Sequence, residues 1–272
     1  MLRVMSAVET GMLLGRIPYA KFGTCPDPIV VVSGGQAFVQ RPSPERVARD
    51  AARLARILPA GRSFILVGYD PSPADHSLAT ISRDLCTILA QRGSPATVIG
   101  VSYGGIVALR AAIDRPELIH RLVLLASAHA FSADGRRHVA HQIDCASRGD
   151  LVGLTEGFVA MFRRPWFNWL VRLRLRTSRG RLARTMNDPA LIVRGLRAVL
   201  DAPIDPAELA NVTARCLVVG GTRDQFFGDG MQQTTAAKLA HATIDLVDGE
   251  THMLPVERAS HVKRALGAFF AQ

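Results

Sequence analysis

Short runs of hydrophobic residues recur along the chain, separated by longer segments in which hydrophobic positions return every three or four residues. Most of these runs have five or six residues and are rich in valine, isoleucine and leucine. Continuous apolar runs are typical of strands that are buried on both faces, as in a parallel sheet. We predict six such strands, at residues 29–33, 63–68, 97–101, 121–126, 215–220 and 243–247.

The segments between these strands carry the helical period, and proline and glycine mark their ends. Pro44 lies at the start of the first segment, and Gly93 follows the second. Strands that alternate with helices predict an α/β fold with a mostly parallel, doubly wound sheet. We also expect residues 4–22 to add an antiparallel hairpin at the front edge. The predicted helices span residues 45–58, 77–91, 103–113, 232–239 and 256–270.

This alternation stops between about residue 129 and residue 205. The segment has no short β-branched run, but it carries helical patterns, many arginines and both tryptophans. We therefore predict an all-helical insertion after the fourth strand, with both of its ends returning to the sheet. The predicted domains are a core of residues 1–128 and 206–272 and a helical insertion at 129–205.

Composition narrows the class of protein. The chain has 272 residues, of which 48% are hydrophobic and 21% charged, as in a globular protein with a large core. No apolar run approaches the roughly 18–20 residues of a membrane span. Glu9 interrupts the hydrophobic residues near the start of the sequence, so this stretch makes a poor signal peptide. The four cysteines lack C-x-x-C spacing, so we predict neither a zinc site nor a disulfide framework. We expect a cytoplasmic protein.

The formal net charge of +10 has two interpretations. It is typical of proteins that bind nucleic acid or another anionic partner. It also follows from an arginine-rich composition with no function attached, since only Lys21, Lys238 and Lys263 are lysines. For the chain as a whole we favour the second interpretation and expect no nucleic-acid partner.

Ser102 is the candidate nucleophile. It lies in Gly100-Val101-Ser102-Tyr103-Gly104, a G-x-S-x-G sequence that follows a predicted strand and opens a predicted helix. In this setting the pattern is that of a nucleophile elbow, whose glycines avoid clashes around a strained serine. The alternative is a purely structural one, in which a small residue fits a tight turn.

Two later loops supply partners for a serine nucleophile, which needs a base and a group that orients the base. Asp224 follows the fifth predicted strand, and His252 follows the sixth. The carboxyl ends of parallel strands meet at one edge of the sheet, where ligands bind. Asp248 and Glu250 are closer to His252 in sequence, but the loop would have to fold back sharply for either to orient it.

A metal site is an alternative for another group of residues. His138 and His141 lie close to Asp134 and Asp144 at the start of the insertion. The ligand set is incomplete, and a solvated helix face explains the same pattern. We therefore predict no metal and no cofactor.

Three segments resemble motifs of the α/β-hydrolase-fold serine hydrolases, namely GVSYGG at 100–105, GGTRDQ at 220–225 and GETHMLPVE at 249–257. The order serine, aspartate, histidine is also that of this family. The resemblance covers about residues 15–128 and 206–272. It implies that Ser102, Asp224 and His252 form a catalytic triad and that the insertion is a cap over the substrate pocket.

The resemblance also implies an oxyanion hole made by the N–H groups of Gly35 and Tyr103. The first oxyanion loop of the family often reads His-Gly-x, whereas this chain has Ser33-Gly34-Gly35-Gln36. The serine departs from the family pattern, but a backbone donor at Gly35 remains compatible with it. Gln36 is a candidate for a side-chain contact with the substrate, or it merely lines the loop.

The insertion carries the clearest indication of substrate or partner. Residues 161–184 contain four aromatic residues and eight arginines, and no acidic residue. One interpretation is a helix whose aromatics pack on the core while its arginines extend into water. The other is an apolar acyl pocket, lined by Phe162, Trp166 and Trp169, with a basic rim. Such a rim suits an acidic carrier protein or an anionic surface.

These residues predict a serine hydrolase that cleaves a carboxylic ester or thioester of a small molecule with an apolar acyl part. The same triad also serves lyases, acyltransferases and C–C bond hydrolases, because a fold does not decide the reaction. A non-catalytic binding module is a further alternative. We would expect such a module to have lost one of the triad residues.

Overall fold

An eight-stranded sheet forms the centre of the molecule. A computed structural model describes residues 8–72, 75–201 and 203–272, and all elements given below lie in these ranges. The strands are β1 (Val8–Leu13), β2 (Ile17–Phe22), β3 (Ile29–Val32), β4 (Phe64–Val67), β5 (Ala96–Val101), β6 (Ile119–Leu125), β7 (Arg215–Gly221) and β8 (Ala242–Val247). All six strands predicted from the hydrophobic runs are present.

Helices connect most of these strands and fill the insertion. They are α1 (Gln36–Val39), α2 (Pro44–Leu54), α3 (Leu78–Ala90), α4 (Tyr103–Asp114), α5 (Ala133–Ser147), α6 (Leu151–Val159), α7 (Pro165–Arg176), α8 (Arg179–Thr185), α9 (Pro189–Asp201), α10 (Met231–Lys238), α11 (Leu254–Glu257) and α12 (Ala259–Phe270). Within the described ranges, none of them combines the length and the hydropathy needed to span a bilayer.

The sheet is mostly parallel. Its strand order is β1-β2-β4-β3-β5-β6-β7-β8. The strands β1 and β2 run antiparallel at one edge, and all pairs from β4 to β8 are parallel. The predicted α/β class with a doubly wound sheet is therefore confirmed, and the loops after β3, β5, β7 and β8 leave the sheet at the same edge.

Burial on both faces explains why whole strands are hydrophobic. In β3, Val30 and Val32 pack into the core on one face of the sheet, and Ile29 and Val31 pack into the core on the other. Successive side chains of a strand point to opposite faces, so a strand covered on both sides needs apolar residues at every position. This is the pattern from which the strands were predicted.

The front hairpin consists of β1 and β2, with Val8 opposite Phe22 at its open end. Its turn places Leu14 and Gly15 at positive φ, 50° and 71°. Residues 4–7 of the predicted hairpin lie outside the described residues.

The last predicted helix is divided in two. The sequence predicts one helix over residues 256–270, whereas the structure separates α11 from α12 at Arg258, whose φ of −124° and ψ of 38° are not helical. Its guanidinium Nε donates to Glu250 Oε1 at 2.7 Å, and the Glu250 side chain is 1% exposed. The prediction of a continuous helix was therefore wrong at Arg258, where the side chain pairs with a buried carboxylate eight residues earlier and the local pattern contains no break signal.

The insertion between β6 and β7 contains α5 to α9. Its two ends meet where the Ile204 N–H donates to the His129 carbonyl at 3.4 Å. Its base rests on the loop after β7, since the Ser132 N–H donates to the Phe226 carbonyl at 2.9 Å. A Cβ on Gly135 would lie only 2.2 Å from that same carbonyl oxygen. The insertion is therefore seated on the loop that carries Asp224, while the domain boundaries at 129 and 205 stay a prediction.

The backbone of helix α4 lies in close contact with the backbone of the sheet. A Cβ on Gly104 would lie 2.3 Å from the Val32 carbonyl oxygen, and one on Gly100 would lie 2.3 Å from Gly105 Cα. Backbone atoms cannot swing aside as the end of a side chain can, so only glycine fits at these positions. This close approach fixes where α4 begins, directly after Ser102.

We expect Gly104→Ala to destabilise the fold, because the added methyl group overlaps the backbone of β3. The free energy of unfolding should fall by about 1–3 kcal/mol or more. Gly180→Ala is the control, since a Cβ there meets no atom within 4 Å and alanine should stabilise α8 by up to about 1 kcal/mol. Denaturant unfolding followed by circular dichroism measures both. A Gly104→Ala variant as stable as the wild type would contradict the close approach.

Candidate active site

Ser102 lies at the sharp turn from β5 into α4. Its backbone angles, φ 53° and ψ −123°, fall in a region that residues with a Cβ rarely adopt. The turn is held on both sides, because the Ser102 N–H donates to the Leu125 carbonyl and its own carbonyl accepts the Gly105 N–H, each at 2.9 Å. This conformation presents the hydroxyl to a cavity beside the sheet edge.

His252 contacts both of the other residues of the predicted triad. Its Nε2 lies 3.0 Å from Ser102 Oγ, and its Nδ1 lies 2.9 Å from Asp224 Oδ2. The loop after β8 is fixed at this point, since the His252 N–H donates to Gln225 Oε1 at 3.0 Å. The three side chains therefore form one hydrogen-bonded chain, although they are far apart in sequence.

The Asp224 carboxylate is buried and held from its other side as well. Its Oδ1 accepts the N–H groups of Phe226 and Phe227 at 2.8 and 2.9 Å. The ring centroids of these two phenylalanines lie 4.7 and 5.9 Å from that of His252. A carboxylate fixed in this way selects the tautomer with the proton on Nδ1, which leaves Nε2 free to accept the Ser102 proton.

The neighbouring carboxylates make other contacts. Asp248 Oδ1 accepts a hydrogen bond from the Thr222 hydroxyl at 3.0 Å. Glu250 forms an ion pair with Arg258. Of the three carboxylates weighed as partners of the histidine, Asp224 is the one in contact with it.

The histidines weighed as metal ligands lie in other surroundings. The ring centroid of His138 lies 5.8 Å from that of Phe226, and His141 Nε2 lies 3.6 Å from Cys145 Sγ. In the part of the chain that the structure describes, no three His, Cys, Asp or Glu side chains come together as a metal site.

The loop after β3 lies against the turn at Ser102. A Cβ on Gly34 would be 3.3 Å from Ser102 Cβ, and one on Gly35 would be 3.8 Å from Tyr103 Cβ. Among the hydrogen bonds of the described residues, the N–H groups of Gly35 and Tyr103 have no acceptor. Two such donors beside a serine hydroxyl suit the binding of an oxyanion.

Tyr69 anchors this loop, and the sequence did not single it out. Its hydroxyl donates to the Ser33 carbonyl oxygen. Its ring stacks on Phe38, with centroids 4.3 Å apart and planes at 9°. Burial raises the pKa of the Tyr69 hydroxyl well above its usual range, so the group stays protonated and remains a donor. The parallel pairing of β3 with β4 brings Tyr69 to Ser33, and no local motif signals that contact.

A cavity of about 340 Å³ opens at Ser102, a volume within the range of small-molecule sites. The sheet part of the chain and the insertion both contribute to its wall. Gln36 and Gln142 supply polar groups, and charged groups come from Arg46, Asp50 and Arg53. Most of the lining is apolar, including Leu54, Ile57, Val139, Phe158, Leu196 and Val199.

The structure corrects one prediction about this cavity. Gln36 lines it, as does Tyr103, but Phe162, Trp166 and Trp169 do not. The two tryptophans are 57% and 61% exposed on α7, and Phe162 packs edge-on against Phe167 with centroids 4.6 Å apart. The predicted aromatic acyl pocket is therefore absent from this segment, because α7 turns its tryptophans outward.

The insertion residues that do line the cavity were missed. Val139, Phe158, Leu196 and Val199 lie on α5, α6 and α9, on the faces turned toward Ser102. Their only signal in the sequence is helical periodicity, which every packed helix has.

The chain belongs to the alpha/beta hydrolase family, whose sequence model matches residues 29–262. A segment of 72 residues is 35% identical to a protein assigned as the carbamate hydrolase RutD of Klebsiella pneumoniae (strain 342). This match covers 23% of the chain and 27% of the relative, so the chain matches about a quarter of that relative's length.

Solved structures share the fold over nearly the whole chain. The alpha/beta hydrolase MGS-M2, from a Medee basin deep-sea metagenome library, has a TM-score of 0.76 at 17% identity and covers 97% of this chain and 98% of its own. An esterase of Exiguobacterium antarcticum has a TM-score of 0.72 at 16% identity, covering 94% and 96%. The 2-hydroxy-6-oxo-6-phenylhexa-2,4-dienoate hydrolase of Rhodococcus sp. strain RHA1 has a TM-score of 0.72 at 18% identity, covering 98% and 100%. At these identities the likeness shows the fold.

If this site binds an oxyanion, we expect Tyr69→Phe to slow turnover, which a reporter ester such as p-nitrophenyl butyrate would measure. The variant keeps the stacking on Phe38 but releases the Ser33 carbonyl, so the loop after β3 loses this anchor. The value of kcat should fall about tenfold, with KM nearly unchanged. Tyr19→Phe is the matched control, since it removes a hydroxyl that donates to Glu9 on the front hairpin. Wild-type kcat in Tyr69→Phe would show that the loop needs no such anchor.

Proposed function

We propose that the protein is a serine hydrolase that cleaves a carboxylic ester or thioester through an acyl-enzyme on Ser102. The observation that carries this proposal is the hydrogen-bonded chain from Ser102 through His252 to Asp224, with the serine strained and facing an apolar cavity. Membership in the alpha/beta hydrolase family supports it, because that fold hosts triads of this geometry.

Acylation begins when Ser102 Oγ attacks the carbonyl carbon of the substrate and His252 Nε2 takes its proton. Asp224 holds the imidazole and stabilises the imidazolium without taking the proton itself. The substrate oxygen becomes negative and accepts hydrogen bonds from the Gly35 and Tyr103 N–H groups. When the intermediate collapses, the C–O or C–S bond breaks and the leaving group takes the proton from His252.

Deacylation repeats these steps with water as the nucleophile. His252 takes a proton from water, whose oxygen attacks the acyl carbon, and the same two N–H groups bind the new oxyanion. Collapse of this intermediate breaks the bond to Ser102 Oγ, which recovers its proton from His252. The products are the free acid and the regenerated enzyme.

The cavity supports a small-molecule substrate with an apolar acyl part. Its apolar wall suits a hydrocarbon chain or ring. Gln36 places a half-buried amide side chain in this wall, and we propose that it contacts a hydroxyl or amide group of the substrate.

We expect Ser102→Ala to lose at least about a thousandfold in kcat on esters that the wild type cleaves. The assay panel consists of p-nitrophenyl esters of increasing chain length, the matched thioesters and a dienoate with a scissile C–C bond. A fluorophosphonate should label the wild type on Ser102 and leave the variant unlabelled. Ser147→Ala, which removes an exposed hydroxyl from α5, is the control and should keep full activity.

The panel also separates the alternatives. Full ester hydrolysis by Ser102→Ala would refute the proposal. If the wild type leaves esters and thioesters intact but cleaves the dienoate, the same residues serve a C–C bond reaction instead.

We expect Asp224→Asn to lower kcat about 10³–10⁴-fold, because an amide no longer selects the Nδ1–H tautomer of His252. Asp248→Asn is the matched control, since Asp248 is exposed and contacts Thr222. It should retain nearly wild-type activity. Equal kcat values for the two variants, measured on the best ester of the panel, would contradict the role of Asp224.

A further inference from the structure

The outer face of α7 carries hydrophobic side chains that the described chain leaves uncovered. Trp166, Trp169, Leu170 and Leu173 are 57%, 61%, 43% and 48% exposed. They stand at positions i, i+3, i+4 and i+7, so they form one stripe along the helix. We call these four residues the α7 stripe.

The opposite side of α7 makes the contacts with the protein. Asn168, Val171 and Leu175 are half-buried, and no residue of the helix is fully buried. The helix therefore rests on a modest inner face and turns its larger hydrophobic side chains outward. A contiguous exposed patch of this kind marks an interaction site.

Arginines border the α7 stripe on both sides. At about 100° per residue, Arg174 lies beyond one edge of the stripe, and Arg172 and Arg176 lie beyond the other. Arg172 reaches Glu156 at 3.6 Å. Within the described ranges, Arg174 and Arg176 form no ion pair. The stripe thus has arginines along both edges, of which Arg172 is paired with Glu156 while Arg174 and Arg176 have no ion-pair partner among the described residues.

We propose that α7 is a docking surface for an anionic lipid bilayer. Tryptophan and leucine on one face, with arginines beside them, are the composition of helices that lie in the membrane interface. The α7 stripe would enter the boundary between headgroups and acyl chains, and the arginines would contact lipid phosphates. This inference does not depend on the reaction proposed above.

Charge favours a bilayer over a second copy of the chain. Pairing two copies through the α7 stripe would bring together two segments, each with eight arginines and no acidic residue between 161 and 184. An anionic bilayer offers an apolar interior and a continuous plane of negative charge, so it meets the stripe and both arginine borders at once. An acidic protein would need a groove of matching shape and charge to do the same.

The segment that leads into α7 contacts a residue next to the cavity lining. The N–H of Arg163, two residues before α7, donates to Glu257 Oε2 at 3.0 Å. Glu257 follows Val256, which lines the cavity and is 62% exposed. Docking of α7 would therefore bring the opening close to lipid. Delivery of an apolar ester from the bilayer would then follow, and this last step alone rests on the proposed function.

Tryptophan fluorescence tests the proposal directly, because both tryptophans of the chain belong to the α7 stripe. The full-length protein is mixed with vesicles of phosphatidylcholine alone, or of equal parts phosphatidylcholine and phosphatidylglycerol. We expect a blue shift of the emission and co-sedimentation with the anionic vesicles only. Added salt should weaken the binding through screening.

Two double variants separate the hydrophobic contribution to vesicle binding from the electrostatic contribution. Leu170→Gln/Leu173→Gln keeps both tryptophans as reporters and should weaken partitioning about tenfold or more. Arg174→Gln/Arg176→Gln should also weaken it about tenfold or more. The control pair Arg83→Gln/Arg264→Gln makes the same change in net charge at exposed positions on α3 and α12, and it should bind nearly as the wild type does.

Several outcomes would overturn the proposal. Emission that stays unchanged with anionic vesicles would do so, as would equal losses in the α7 and control arginine pairs. A blue shift with poly-L-glutamate but not with vesicles would indicate an acidic protein partner instead. A dimer in sedimentation velocity that Leu170→Gln/Leu173→Gln converts to a monomer would indicate a second copy. Hydrolysis of a water-soluble ester, measured on the same samples, keeps failure of the proposed reaction distinct from failure of docking.

Discussion

The positive φ of Ser102 is the constraint on which the candidate active site depends. A residue with a Cβ at φ 53° stores about 1–3 kcal/mol of strain, so its surroundings must hold it there. Gly100 and Gly104 let α4 press its backbone against the sheet, and the Leu125 carbonyl accepts the Ser102 N–H. The same contacts fix the direction of the hydroxyl, which lets His252 and the loop after β3 be placed against it.

Strand positions and the candidate triad followed from the sequence because both obey strict rules. A strand that is buried on two faces must be apolar throughout, and the residues after parallel strands gather at one edge. Ser102, Asp224 and His252 each follow such a strand. Tyr69 also follows such a strand. Its hydroxyl binds a main-chain carbonyl, however, and because every residue has one, the sequence does not indicate which carbonyl it binds. The break at Arg258 coincides with its ion pair to Glu250, a contact that the helical pattern does not predict.

The orientation of α7 shows where hydrophobic patterning stops being informative. The helix has an apolar row on two sides, one with Val171 and Leu175 and one with Trp166 and Trp169. Patterning alone assigns the larger row to the interior, yet the smaller row faces the protein. Which row is buried depends on the surface offered by the neighbouring helices, and that surface is set by tertiary packing. The insertion's share of the cavity wall accordingly comes from α5, α6 and α9 and from Phe131 before α5.

Phe226 joins the insertion to Asp224, the acid of the proposed triad. Its N–H donates to Asp224, its carbonyl accepts the Ser132 N–H at the base of α5, and its ring packs on His252. The insertion is for this reason not an exchangeable module. A chimera that receives a foreign insertion would lose the fit between Gly135 and Phe226 and disturb the carboxylate below. A graft would have to carry residues 224–227 along with the helices, so two separate stretches of chain make up one transplantable unit.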